Sequence, residues 1–310
     1  MNTESPGRLQ KVLEGGFFAV TAECGPPRGA DPVPIRKKGD LLKGFVDAVN
    51  VTDNQTAIVR MSSVGACQHL LQLGLEPVMQ MVTRDRNRIA LQSDILGAYS
   101  LGIKNILCLS GDHQRFGSQP DAMNVFDIDS INLVRTVWNM RETGRDMSGF
   151  DLQTPPRMFI GAAANPFADP FEYRVIRLAK KIDAGADFIQ TQCVYNLERF
   201  AKWMDQARDE GLTDKVHILA GVTPLKSEGM ARYMAGRVAG MDIPDFVIRR
   251  MAGVPKKNAA REGIAICLET IAALREMEGV RGVHIMAIEW EEKVAEIVAA
   301  AGLLPRPSVD

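Results

Sequence analysis

The chain alternates short, β-branched apolar runs with longer helical stretches from end to end, and this rhythm most limits what it can fold into. Strand patterns are predicted over residues 18–23, 48–52, 77–82, 105–109, 157–161, 188–192, 216–220 and 283–288. Helical patterns fall between them, over 32–45, 57–73, 87–101, 130–141, 170–184 and 197–210, then 227–236 and 259–278. A last helix is expected over 289–301. Gly74, Gly102 and Gly185 stand just behind three of these helices, where a C-terminal cap needs a left-handed residue. Strands that alternate with helices pair in parallel through right-handed crossovers. An open doubly wound sheet shares that alternation, but eight units in 310 residues favour closure into an α/β fold of the (β/α)8 TIM-barrel type, one domain over residues 1–310.

With 46% apolar and 24% charged residues, the chain can bury a substantial core without staples. A net charge of −1 offers no nucleic-acid surface. The five cysteines, Cys24, Cys67, Cys108, Cys193 and Cys267, are odd in number and lack metal-ligand spacing, so reduced thiols are expected and no metal. The first residues do not read as a secretory signal, and no apolar run reaches the roughly 18 residues that span a bilayer. A cytoplasmic protein without membrane insertion is the expectation.

In a barrel of this kind chemistry gathers at the C-terminal ends of the strands. The first strand ends in Glu23-Cys24-Gly25-Pro26-Pro27, with two prolines stiffening the turn. A carboxyl at that rim suits a general acid, and equally a structural bond to the next strand. The fourth strand ends in Leu109-Ser110-Gly111-Asp112, where Gly111 admits a ligand to the backbone and Asp112 is either a site carboxylate or a turn residue. Thr52 to Thr56 form a polar run after the second strand. Gln190 and Gln192 need partners, from a ligand amide edge or a neighbouring strand. Arg84, Arg86 and Arg88 read as a solvated helix start or, more sharply, as a phosphate or carboxylate grip. The segment 111–129 is a long polar loop. No glycine-rich dinucleotide fingerprint follows a strand.

Together these strand ends resemble the methylenetetrahydrofolate reductase family over nearly the whole chain. Glu23 before Pro26-Pro27 matches the family's opening strand, and Gly111-Asp112 its fourth. Lys181, Asp183, Ala184, Gly185 and Ala186, then Thr191-Gln192, match its stretch into the sixth. The resemblance implies a flavoprotein, with FAD or the shorter FMN, that reduces 5,10-methylenetetrahydrofolate to 5-methyltetrahydrofolate in the one-carbon metabolism that serves methionine biosynthesis. It implies Glu23 as general acid, Asp112 beside flavin and pterin, and Gln192 as a pterin ligand. It places Thr52, Gln80, Leu109, Ser110, Gly111, Asp112, Ala163, Asn165, Asp169, Lys180 and Lys181 where the family binds flavin. This chain has Cys24 and Gly25 where aromatic residues are usual, Ser110 for an Arg and Gln80 for a His. Met286 and Trp290 stand for a Tyr and an Arg. It looks closer to the variant of anaerobic one-carbon pathways, a resemblance that implies NAD(P)H or a redox partner protein as electron donor, in an oligomer or with a partner subunit. Two rivals are a flavin-free, folate-binding methyltransferase barrel and a subunit of a larger reductase complex.

Overall fold

The computed structural model describes residues 5–309. The first half of the chain runs α1 (Arg8–Glu14), β1 (Ala19–Cys24), α2 (Val33–Leu42), β2 (Ala48–Val51), α3 (Ser63–Gln72), β3 (Pro77–Val82), α4 (Arg88–Ser100), β4 (Asn105–Leu109) and α5 (Ser130–Glu142). The second half runs β5 (Phe159–Ala164), α6 (Tyr173–Asp183), β6 (Phe188–Cys193), α7 (Leu197–Asp209), β7 (His217–Val222), α8 (Glu228–Arg237), α9 (Asp245–Ala252), α10 (Lys256–Arg275), β8 (Val280–Ile285) and α11 (Val294–Ala300). The strands form a closed barrel in chain order. Parallel pairing of β1 with β8, from Ala19↔Gly282 to Ala22↔Ile285, completes the ring. Strands buried on both faces carry continuous apolar runs, which is why the alternation was visible in the sequence.

The barrel interior is layered. At its N-terminal end Ala19, Ala48, Val78, Leu107, Phe159, Phe188 and Leu219 fill the bore, and Leu9, Val12 and Leu13 of α1 plug it from below. Phe159 and Phe188 stack with centroids 5.1 Å apart. Gly161 is required beside them, since a Cβ there would lie 2.3 Å from the Phe188 ring. Above this apolar floor lies a layer of Thr21, Asn50, Gln80, Gln190 and His284, all buried. Buried polar side chains cost free energy unless hydrogen-bonded, so this layer has to supply its own partners or meet a ligand.

Helix starts follow side-chain caps: Ser62, Asn87, Asp129, Asn196 and Ser227 each accept a backbone N–H of the first turn. The helix expected from residue 57 begins only at Ser63, because Asn54, Thr56 and Ala57 take left-handed φ values of 45°, 54° and 55°. The eighth strand lies three residues earlier than expected, and the fifth extends to Ala164. Helices α1 and α9 were not anticipated; each is short, seven and eight residues, and earns its helicity from the apolar face it buries. No helix among the described residues is long and apolar enough to cross a membrane.

Candidate active site at the C-terminal mouth of the barrel

Two cavities open at the C-terminal mouth and share a wall made of Glu23, Gln80, Leu109, Ala163, Gln192 and Met286. The first, of about 430 Å³, extends towards α6 and is lined there by Arg174, Arg177 and Lys181. The second, of about 530 Å³, extends over the rim loops, past Thr52, Ser110, Gly111 and Asp112, to an apolar side formed by Met234, Val238 and Met241.

Glu23 is the last but one residue of β1, so strand alternation turns it into the bore two residues above Thr21. Its carboxyl is largely buried, with 12% exposure. Gln55 Nε2 donates to Oε1 at 3.4 Å, and Oε2 faces His284 Nε2 at 4.0 Å. Below it, Asn50 and Gln190 exchange a reciprocal amide pair, 2.5 and 3.0 Å. The partner that Gln190 needs is therefore a neighbouring strand. Gln192 is different. Its Oε1 accepts the Cys193 N–H at 3.1 Å, and among the described residues neither amide N–H has a partner, which leaves both for the cavities. A register shift between Gln190 and Cys193 in the β6–β7 pairing accompanies this turn of the strand end.

Of the residues expected to hold a cofactor, Thr52, Gln80, Leu109, Ser110, Gly111, Asp112, Ala163, Asn165 and Lys181 line one cavity or both. Thr52 Oγ1 is buried with no hydrogen-bond partner among the described residues. Gly111 has φ +85°, and a Cβ on it would press on Val82 at 3.0 Å and Arg84 at 3.3 Å. Lys181 donates to the Ala163 carbonyl. Burial, with the Arg177 guanidinium nearby, brings its amine down to about 8.

Asp169 and Lys180 line neither cavity. Asp169 precedes α6, its side chain is 84% exposed, and it pairs with Arg199 at 2.7 Å. Lys180 is exposed, about 100° around the helix from Lys181. The side of α6 that lines the first cavity instead carries Arg174, Arg177, Leu178 and Lys181, and amphipathic periodicity alone would have turned those arginines to solvent. His284 was also passed over, and only the β1–β8 register, Thr21↔His284, places it under Glu23.

The arginines after β3 do not form an anion grip. Arg84 pairs with Asp85 at 2.7 Å and donates to the Asp112 carbonyl at 2.8 Å. Arg86 pairs with Asp53 and Asp94, and Arg88 with Asp127, at 2.7 to 2.8 Å. These guanidiniums tie the rim loops together. All five cysteines are free and buried, and burial pushes the Cys24 and Cys193 thiols up to about 12. Neither is a thiolate nucleophile at neutral pH. Among the described residues no three His, Cys, Asp or Glu side chains gather as a metal site.

A closed parallel barrel with an acid, amide donors and a basic lobe at its C-terminal mouth has the layout of a small-molecule site. Residues 8–302 match the methylenetetrahydrofolate reductase family, and the chain belongs to it. A Caenorhabditis elegans protein named "Probable methylenetetrahydrofolate reductase (NADPH)" is 22% identical over 96% of this chain and 44% of its own length. The 5,10-methylenetetrahydrofolate reductase of Pectobacterium carotovorum is 23% identical over 75% of this chain and 72% of its own. The chain thus spans less than half of the worm relative. The fold is shared with an uncharacterized Clostridium thermocellum protein whose structure binds two copies of 5-methyl-5,6,7,8-tetrahydrofolic acid, at TM-score 0.64 and 15% identity over 96% of this chain and 98% of that one.

Proposed function

We propose that the chain reduces 5,10-methylenetetrahydrofolate to 5-methyltetrahydrofolate at this mouth with a bound flavin, FAD in our reading, the barrel serving as one catalytic unit. The observation that carries the proposal is the place of the Glu23 carboxyl, on the wall common to both cavities and together with the unpartnered amide donor of Gln192. Family membership supplies the substrate class.

The residues present fit a flavin. Thr52 offers a buried hydroxyl without a partner, Gly111 keeps a backbone approach open, and Arg174, Arg177 and Lys181 supply positive charge for its phosphates. When bound, the flavin supplies the hydride. Glu23 holds the proton that a ring nitrogen of the folate needs in order to leave, which makes the bridging carbon electrophilic. Asp112, exposed at the rim and free of any ion pair among the described residues, sets negative charge beside the cation so formed. Gln192 orients the pterin through its amide N–H groups. The electrons come from a nicotinamide dinucleotide or a protein partner, and reduction of the flavin by each identifies the donor.

The purified protein should show an oxidised-flavin spectrum that a reductant bleaches and methylenetetrahydrofolate restores. Glu23→Gln should keep the flavin and its reduction while folate turnover falls by about 10²- to 10⁴-fold, the usual share of general acid catalysis. Turnover within a few-fold of wild type removes Glu23 as the acid. A colourless protein that takes up no added flavin overturns the reductase reading in favour of the flavin-free methyltransferase.

A further inference from the structure

We propose that His284 is the positioning residue of Glu23: it presents an Nε2–H to the buried oxygen of the carboxyl, in a tautomer imposed by a hydrogen-bond chain across the bore. The inference rests on the reductase reading and deepens it. His284 is 3% exposed, on β8, directly beside Thr21 of β1.

The direction of the chain follows from the orientation of the two amides at its start. Asn50 Nδ2 donates to Gln190 Oε1 at 2.5 Å, and Gln190 Nε2 donates back to Asn50 Oδ1 at 3.0 Å. The second proton of Gln190 Nε2 goes to Thr21 Oγ1 at 3.3 Å. Thr21 is fully buried, and among the described residues its own proton meets no acceptor other than His284 Nδ1, which stands 3.0 Å away. With the two amides in this orientation Nδ1 accepts, and the ring carries its proton on Nε2. That atom faces Glu23 Oε2 at 4.0 Å. Pairs of this kind are often long before substrate closes the site and tighten in the complex.

The two oxygens of Glu23 are thereby made unequal. Oε2 faces His284 Nε2, which leaves Oε1, 3.4 Å from Gln55, to serve the substrate. Once Oε1 has released its proton, the Nε2–H stabilises the carboxylate left behind. A layer that served the fold alone would be more stable if apolar. Here the hydrogen-bond chain joins four strands, β1, β2, β6 and β8, and ends on the one carboxyl that both cavities share.

Two substitutions separate positioning from packing. In His284→Asn the amide reaches only the Nδ1 position, keeping the link to Thr21 and losing the donor to Glu23. In His284→Gln the amide reaches the Nε2 position and keeps that donor. In the flavin-loaded enzyme, His284→Asn should lower kcat for folate by about 10- to 100-fold with KM little changed and with flavin content and flavin reduction intact. His284→Gln should return kcat to within about threefold of wild type. Nitrogen-15 spectra of the wild-type imidazole should show the Nε2-protonated tautomer. An Asn variant as active as wild type, a Gln variant as impaired as Asn, or an Nδ1-protonated ring overturns the proposal while leaving the reductase reading in place. A wild-type protein that never turns over folate overturns both.

Discussion

At the mouth, Lys181 is a side chain whose charge changes within an ordinary assay range. Burial, then the Arg177 guanidinium, lowers its amine from 10.5 to about 8. The ammonium form that attracts phosphate is complete well below that value and is lost as pH rises through it. Flavin affinity should therefore weaken several-fold between about pH 7 and about pH 9.5. Lys181→Met should bind flavin weakly and with no such slope. Fluorescence titration of the apoprotein across the range checks this, and a wild-type affinity that stays level removes Lys181 from the anion lobe. Strand-end residues such as Glu23, Gln192 and Asp112 could be placed at the mouth from sequence, because a strand's last residues have nowhere else to go. Arg174 and Arg177 could not, because their direction depends on how α6 rolls against the barrel.

At the scale of elements, the rule that glycine weakens a helix has its sign reversed in α10. An Ala in place of a helical Gly ordinarily gains about 0.5–1 kcal/mol. At Gly263 the added Cβ would stand 1.7 Å from the Leu225 carbonyl oxygen, backbone that leads from β7 into α8. Gly263→Ala should therefore destabilise by about 1–3 kcal/mol, as overpacking does. Urea unfolding measures it, and a stabilised variant would show that α10 can move away from that loop. The approach brings α10 against the small apolar cluster of Leu225, Ala231, Met234, Val247 and Met251 around α8 and α9. That cluster provides the apolar side of the rim cavity through Met234.

For the whole molecule, the two ends of the described chain meet under the barrel at Asp47, whose side chain is fully buried. It pairs with Arg8 at 3.0 Å and with Arg306, and accepts the Val20 N–H at 2.9 Å. Arg306 also donates to the Phe18 carbonyl at 2.7 Å, which holds the C-terminal segment against the first strand. Arg306→Leu leaves the carboxylate with Arg8 alone, and should cost about 1–3 kcal/mol, less than stripping a buried charge of every partner. The fall should appear as a lower urea midpoint with an unchanged slope. A loss below about 0.5 kcal/mol, the level of an ordinary surface change, would mean that Arg8 suffices.

The sequence by itself determined the alternation of elements, their order, and the strand ends that carry polar residues. Those are local properties: periodicity, caps and turn glycines act within a few residues. Closure was decided by tertiary structure, because it depends on the pairing of β1 with β8, more than 250 positions apart. The same pairing sets His284 beneath Glu23. The roll of α6, which sets Arg174 and Arg177 but not Lys180 along the cavity, and the pairing of Arg84, Arg86 and Arg88 with carboxylates were settled the same way. Each is a choice between partners distant in the chain, and only the packed barrel brings them within reach of one another.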